Sequence, residues 1–287
     1  MAQIKSVLVT GAFGFIGKFL VRKLMKQGYC VIPVASKDID LVNPKAIDQL
    51  LVNKADYIFH LAAKVGVPAS WDDSAGFYSV NISSTLHVLE YAKRSGTPVH
   101  YVSAYVYGNQ EKQPLSEDVA PLPGNPYALS KCMAEELCRF YHRLFGLAIT
   151  ISRPFNVYGE GQSRNFFIPF VIDQICFKDE VTIHHGSPKM DYIYIEDVTD
   201  ALIAIMEKGK NGAVYNIGTG VSTSCLGVVS LLQGILKTDK KVNVLNIARL
   251  NQILEARADI SKISLETGWS PRYTLLEGLE KALYFLT

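Results

Sequence analysis

Val7-Leu8-Val9-Thr10-Gly11-Ala12-Phe13-Gly14-Phe15-Ile16-Gly17 is the stretch on which the reading of this chain turns. A short run rich in branched apolar residues (4–10) meets three glycines, and apolar residues at helical spacing follow through residue 27 (Phe15, Ile16, Phe19, Leu20, Leu24). In a strand–turn–helix unit each glycine has a physical task. Gly11 permits the tight turn, Gly14 lets backbone N–H groups approach a pyrophosphate, and Gly17 lets the helix pack close to the strand. The helix N-terminus then faces the anion. This predicts a dinucleotide site. Residues 12–19 nearly spell a triphosphate P-loop, but Ala12 stands where its first glycine belongs and Phe19 replaces the magnesium-binding hydroxyl.

Strand and helix signals keep alternating outward from there. Strands are expected at 30–35, 57–61, 98–102 and 147–152, and helices at 44–52, 77–94 and 126–145. Nearly continuous apolar strands between helices predict an α/β fold, a doubly wound parallel sheet of the Rossmann kind covered on both faces. After Pro154 the pattern loosens, with helices near 166–177, 195–208, 223–237 and 275–286 and strand candidates at 181–184 and 213–217. The expected organisation is a dinucleotide-binding domain over 1–153 and a smaller mixed substrate lobe over 154–287. A segment near 190–220 is expected to return to the first domain. No internal repeat or low-complexity stretch is present.

Composition narrows the function classes. The 287 residues are 48% hydrophobic and 20% charged, and a chain this long buries about three quarters of its unfolded surface. A net charge of +2 supplies no field for nucleic acid or an anionic membrane, and no apolar run approaches the roughly 18 residues of a spanning helix. Five cysteines, an odd number without a C-x-x-C, suit a reduced cytoplasmic chain, and no signal peptide is expected ahead of the first strand. In that compartment the Asn81-Ile82-Ser83 sequon is silent. The six histidines show no zinc spacing, and adjacent His184 and His185 on a strand candidate point to opposite faces, so no metal is expected. His60 and His100 read as satisfied structural residues. No G-x-S-x-G elbow is present. Phe140, Tyr141 and Leu144, at helical spacing, read as core packing.

Pro126-Tyr127-Ala128-Leu129-Ser130-Lys131 is the second constellation. Pro126 suits a helix start, and positions 127 and 131 share one face. A phenol with a pKa near about 10 exchanges protons poorly at neutral pH unless a cation stabilises the phenolate, and Lys131 is placed to do so. Ser103, just past a buried strand, stands at the carboxyl edge of the sheet, where open parallel folds bind ligands. After the second strand, a carboxylate would bind the 2′-hydroxyl of NAD and a basic group the 2′-phosphate of NADP. Residues 34–37 read Val-Ala-Ser-Lys, with acids arriving late at Asp38 and Asp40. NADP(H) is therefore favoured, with Ser36 and Lys37 on the phosphate and Asp40 and Leu41 toward the adenine; NAD(H) stays open.

Together these motifs make the chain resemble an extended short-chain dehydrogenase/reductase of the branch acting on nucleotide-activated sugars. The resemblance rests on the glycine turn (Thr10 to Gly17), His60-Leu61-Ala62-Ala63, Asn81, Ser103 four residues before Tyr107-Gly108, and Tyr127 with Lys131. It continues through Arg153-Pro154-Phe155-Asn156-Val157-Tyr158-Gly159, residues 191–198, Tyr215-Asn216-Ile217-Gly218, Arg257-Ala258-Asp259 and Gly268-Trp269-Ser270-Pro271. It implies that Tyr127 is the acid/base, that Lys131 holds the nicotinamide ribose and lowers the tyrosine pKa, and that Ser103 orients a sugar oxygen. It further implies cofactor contacts at Gly11, Phe13, Gly14, Phe15, Ile16, Gly17, Leu61, Ala62, Ala63 and Pro154. Substrate contacts at Lys64, Asn156 and Arg257, and a homodimer through the two long helices, are also implied.

Departures from the family pattern narrow the chemistry. Ala104-Tyr105 replaces the acidic pair of dehydratases, so dehydration is not expected. Ala63-Lys64-Val65-Gly66 is similar to fucose synthases, but Tyr105 and the region of Phe166 lack their epimerising Cys and His. Met190-Asp191 stands in place of Arg-Asp. Reduction of a 4-keto nucleotide sugar is the leading expectation. A C4-epimerase with retained NAD is the alternative, and a non-catalytic dinucleotide sensor is the reading from another class.

Overall fold

The computed structural model describes residues 4–52, 54–247 and 251–284. Met1–Gln3 and the last residues of the helix expected at 275–286 lie outside that range. Chain order in the first part is β1 (Ser6–Thr10), α1 (Phe15–Lys26), β2 (Cys30–Val34), α2 (Ala46–Leu51), β3 (Tyr57–His60), α3 (Val67–Asp72), α4 (Ser74–Ser95), β4 (Val99–Val102), α5 (Pro126–Phe145) and β5 (Ile149–Pro154). Then follow β6 (Asn156–Tyr158), α6 (Phe167–Phe177), β7 (Val181–Ile183), β8 (Lys189–Tyr194), α7 (Ile195–Lys208), β9 (Val214–Ile217), β10 (Ser222–Ser224) and α8 (Cys225–Ile235). The last elements are β11 (Val242–Val244), β12 (Glu255–Ala256), α9 (Ser261–Thr267) and α10 (Leu275–Tyr284).

Six strands form a parallel sheet in the order β2-β1-β3-β4-β5-β9. Alternation along β1 explains both of its covered faces. Leu8 points into the core under α2, α4 and α5, while Val7 and Val9 point into the core under α1 and α7. Pro33, which has no N–H to give, sits in the edge strand β2, where none is needed on the outer side. From β1 the chain crosses to β2 on one side and then to β3 on the other. The carboxyl ends of β1 and β3 are therefore the switch point of the sheet, the place where such folds leave a crevice.

A smaller sheet, β10-β8-β12 with β6 also on β8, and a two-stranded β7–β11 pair lie beyond β5. They enclose a separate apolar cluster with α6, α8 and α10, including Val171, Ile183, Tyr192, Val228 and Leu279. The strands β6, β8, β10, β11 and β12 and the helices α3 and α9 were not predicted from the sequence. All are two to seven residues long, too short to display a period. No helix among the described residues is long and apolar enough to cross a membrane.

Helix α5 is two-faced, and this corrects one sequence expectation. Lys131, Ala134, Glu135, Cys138 and Tyr141 face the sheet and are buried, whereas Phe140 and Leu144 are exposed with Leu129 and Met133. Of the three residues read as core, only Tyr141 is; the other two fall on the opposite side of a helix that already buries a full stripe. Beneath the inner face lies a buried ion pair. Arg153, 1% exposed, donates from Nε and Nη2 to Glu135 at 3.0 and 2.7 Å and stacks 4.8 Å from the Tyr107 ring centre. Arg139 reaches the same carboxylate from the rim at 2.7 Å.

Arg153→Leu leaves the buried Glu135 with only the half-exposed Arg139 as partner, so it is expected to cost about 3 kcal/mol, the low end for a broken buried pair, in urea unfolding. Burial pushes the Glu135 carboxyl up, but the Arg153 guanidinium, aided by Arg139, outweighs it and holds the carboxyl below its ordinary pKa. The pair's contribution is therefore present above the usual glutamate range and lost as pH falls through the depressed value. In Arg153→Leu, by contrast, lowering the pH relieves the stranded Glu135, so the deficit relative to the native chain should narrow in acid.

Candidate active site

The glycine turn closes against the far side of the switch point. Gly11 has φ +67°, and a Cβ there would lie 2.7 Å from Ala62 N and 2.9 Å from Leu61 C. A Cβ on Gly17 would lie 2.1 Å from Gly11 O, and one on Gly14 only 3.1 Å from the same atom. Gly11 and Gly17 are thus required by close backbone approach, Gly11 also by its left-handed φ. Gly14 caps α1 without a side-chain bond, and no acidic residue occupies the first turn, so the free N–H groups face the crevice. A cradle lined by bare backbone fits a pyrophosphate. Phe13 is exposed beside it, while Phe15 and Ile16 pack toward the smaller lobe. Ser36, Lys37 and Asp40 are exposed beyond β2. Leu41 is different: its side chain is buried in the core and its carbonyl accepts from His87 Nδ1 at 2.8 Å. Leu61, Ala62 and Ala63 follow β3, and Pro154 ends β5 beside Ile217.

Asn125 caps α5 by accepting from Ala128 N at 2.8 Å, and Pro126 takes the first helical position. Lys131 Nζ donates to Val102 O at 2.7 Å and lies 4.6 Å from the Tyr101 ring centre. That bond sets it at the strand end that carries Ser103. Burial lowers the Lys131 ammonium to about 8, and burial alone pushes the Tyr127 phenol up to about 12. The lowering of Tyr127 expected from Lys131 is absent, because the ammonium is engaged by Val102 O and desolvation governs the phenol. Ser103 Oγ is buried without a hydrogen bond of good geometry and sits beside the Glu135 carboxylate. A buried hydroxyl of this kind suits an oxygen arriving on a ligand.

Two aromatic contacts tie the substrate side to this centre. The Phe77 ring meets Tyr127 edge-on at 6.1 Å, and Lys64 Nζ lies 5.2 Å from the Phe77 centre while ion-paired with Asp73. Asn156 Nδ2 donates to Asp191 O at 3.3 Å. Asp191 is wholly buried and accepts from Thr219 N and Oγ1, Gly220 N and Ala258 N at 2.7–3.1 Å. It therefore holds the turn after β9 against the segment bearing Arg257. Neighbouring Met190 packs among apolar residues, so no guanidinium enters from that position. Arg257 is fixed through its backbone, with N donating to Gln113 Oε1 at 2.9 Å and O accepting from Leu115 N at 2.8 Å; its Nε is buried without a partner among the described residues. Gln113 carried no sequence signal. Glu135 did carry one, lying four residues beyond Lys131 on the same helix face. Among the described residues no group of three His, Cys, Asp or Glu could hold a metal.

The two tighter glycines of this turn set a graded test. Gly17→Ala is expected to lose dinucleotide binding and to destabilise by at least the 1–3 kcal/mol typical of overpacking, about the effect of Gly11→Ala, whereas Gly14→Ala should keep most of its stability. Thermal unfolding with and without a nicotinamide dinucleotide, NADP(H) or NAD(H), reads both effects.

Residues 7–218 match the NAD dependent epimerase/dehydratase family. The chain is 30% identical to GDP-6-deoxy-D-mannose reductase of Pseudomonas aeruginosa, covering 96% of this chain and 95% of that protein. The fold is similar to UDP-glucose 4-epimerase of Thermotoga maritima solved with UDP-glucose (TM-score 0.91, 29% identity, 98% of each chain). It is equally similar to RMD from Pseudomonas aeruginosa complexed with NADPH (TM-score 0.90, 28% identity, 98% of each chain). The strand order, the glycine cradle and the match over three quarters of the chain lead to one conclusion: this protein belongs to the NAD dependent epimerase/dehydratase family and is an enzyme of the extended short-chain dehydrogenase/reductase type.

Proposed function

We propose that the protein is an NADPH-dependent reductase acting at C4 of a nucleotide-activated 4-keto-6-deoxy sugar. The observation that carries this choice is the end of β2, where exposed Ser36 and Lys37 stand in place of a carboxylate. A 2′-phosphate is accepted there, and a 2′-hydroxyl gains no acidic partner. The likeness to a GDP-6-deoxy-D-mannose reductase and to an NADPH complex supports the same direction. A bound nicotinamide dinucleotide supplies hydride to the carbonyl carbon from one face.

The chain's own residues do the rest. Tyr127, protonated at every physiological pH, donates its phenolic proton to the sugar oxygen as charge develops on it. Ser103 offers that oxygen a second hydrogen bond, and pre-placed donors of this kind stabilise charge as it forms. Lys131 keeps a positive charge beneath the tyrosine and is the group for a ribose hydroxyl. Lys64, Asn156 and Arg257 are the residues for the nucleotide diphosphate and sugar, and the buried unpartnered Nε of Arg257 is a donor in need of an anion. The exposed stripe of Leu129, Met133, Phe140 and Leu144 on α5 supports a homodimer across the two long helices.

The second reading, a C4-epimerase retaining NAD, is favoured by the likeness to UDP-glucose 4-epimerase. Consumption of NADPH by purified protein with a 4-keto nucleotide sugar separates the two; tightly retained NAD with redox-neutral interconversion of two sugars would overturn the reductase. Tyr127→Phe is expected to lower kcat by about 10²–10⁴-fold with little change in NADPH affinity. The pH profile has a defined sign. Reduction needs a protonated phenol and a charged Lys131, so kcat should hold below about pH 8 and fall above it as Lys131 loses its proton. An epimerase, which begins by removing a proton, would instead gain rate with rising pH. Ser36→Asp is expected to raise the NADPH KM by about tenfold or more, on the scale of one repulsive charge, and to favour NADH.

A further inference from the structure

Beneath the crevice runs a chain of hydrogen bonds whose direction is set atom by atom. Thr85 Oγ1 donates to Asn81 O at 2.7 Å, and that carbonyl can only accept. Thr85 Oγ1 must then accept from His60 Nε2, 3.1 Å away, so His60 carries its proton on Nε2. His60 Nδ1 is left as an acceptor, and Thr10 Oγ1, 2.7 Å away, donates to it. Thr10 Oγ1 in turn accepts from Ala62 N at 3.2 Å. Every hydrogen in the chain is used once.

The two ends of this chain are parts of the proposed site. At one end, Thr10 and Ala62 belong to the glycine turn and to the loop it closes against. At the other, Asn81 clamps the Lys64 backbone, with Oδ1 accepting from Lys64 N at 2.7 Å and Nδ2 donating to Lys64 O at 3.1 Å. The same Nδ2 donates to Ser130 Oγ at 2.8 Å, and Ser130 Oγ donates to Tyr127 O at 2.7 Å. His60 is 1% exposed and lies 5.8 Å from the Tyr101 ring at a 37° tilt, and the same ring meets the Lys131 ammonium. Burial, and secondarily that ammonium, hold the imidazole near about 3, so it stays neutral and the chain keeps one polarity.

We propose that His60 is a positioning residue that joins the dinucleotide cradle to the tyrosine-bearing helix. It rests on the reading of Tyr127 and the glycine turn given above, and goes beyond it. Its role is geometric: as the Nε2–H tautomer it holds the Ala62 loop against Gly11 and, through Thr85 and Asn81, holds Lys64 and the first turn of α5. The phenol and the cofactor cradle are thereby placed by one connected set of bonds.

The test has a spectroscopic arm and a binding arm on the full-length protein. In ¹⁵N-histidine-labelled protein, the resonance missing in His60→Gln identifies His60. It is expected to show the Nε2–H pattern and no titration down to about pH 4, in keeping with burial of a neutral ring. An Nδ1–H pattern or a midpoint near 6 would overturn the proposal. In the binding arm, His60→Phe is expected to weaken NADPH by at least about tenfold, the scale of a buried hydrogen bond left unmade, and to lower kcat in the folded protein. His60→Gln keeps an acceptor and a donor and should recover most of both. A drop in Tm with unchanged NADPH affinity and kcat would mean packing alone. If His60→Phe does not fold, Thr85→Val breaks the same chain at its next link and is expected to weaken NADPH in the same way; an unchanged affinity there also overturns the proposal. A failure of the reductase reading would appear differently, as native protein that binds NADPH yet reduces no keto sugar.

Discussion

Two stretches of backbone approach each other at the switch point more closely than side chains allow, and the remaining architecture accommodates that approach. Gly11 meets the Leu61–Ala62 peptide, and Gly17 meets Gly11 O, so the first helix starts almost in contact with the end of the neighbouring strand. The outcome is a helix N-terminus with free N–H groups at the mouth of a parallel sheet, an environment that favours a phosphate anion. Sheet order matters here because the crevice exists only where β2 and β3 leave β1 in opposite directions.

Charge around this crevice is arranged by burial more than by pairing. Lys131 is buried with a backbone carbonyl and an aromatic face as its partners, which lowers its pKa but leaves it cationic at neutral pH. The neighbouring histidines stay neutral: His60 between two threonines, His100 between Thr150 and Ser152, each near about 3. Negative charge is kept one turn further along α5, where Glu135 is committed to Arg153 and Arg139. Such separation leaves Lys131 as a buried cation one turn along the helix from the tyrosine. It also explains why the phenol itself, with no charge engaged on it, stays high.

The smaller lobe is organised around a different buried acid. Among the described residues Asp191 carries no ion pair, and it is satisfied by backbone and hydroxyl donors from two segments, the turn at 219–220 and Ala258. Gln113 and Leu115 clamp the next stretch: Gln113 donates to Glu255 O and accepts from Arg257 N, and Leu115 N donates to Arg257 O. The arginine's guanidinium is thus presented by a backbone held from two sides. Met190 pairs with Ala256 and packs among apolar residues, so its position adds apolar contact in place of charge.

Spacing along the chain was enough to read the alternation of strands and helices through residue 145, the three glycines, and a tyrosine and lysine on one helix face. These are local properties: period, turn chemistry and i,i+4 geometry act within a few residues. The strands β6, β8, β10, β11 and β12 emerged only in the folded chain, as did the outward face of Phe140 and Leu144. The partners of Lys131 and Asp191, the tautomer of His60 and the clamp on Arg257 join groups 25 to 144 residues apart. Such contacts depend on sheet register and on which loops meet above it, and no nearest-neighbour rule contains that information. The amino-acid order by itself determined the class of fold and the residue types at its crevice; tertiary structure decided which of them touch, because only packing brings their donors and acceptors within bonding distance.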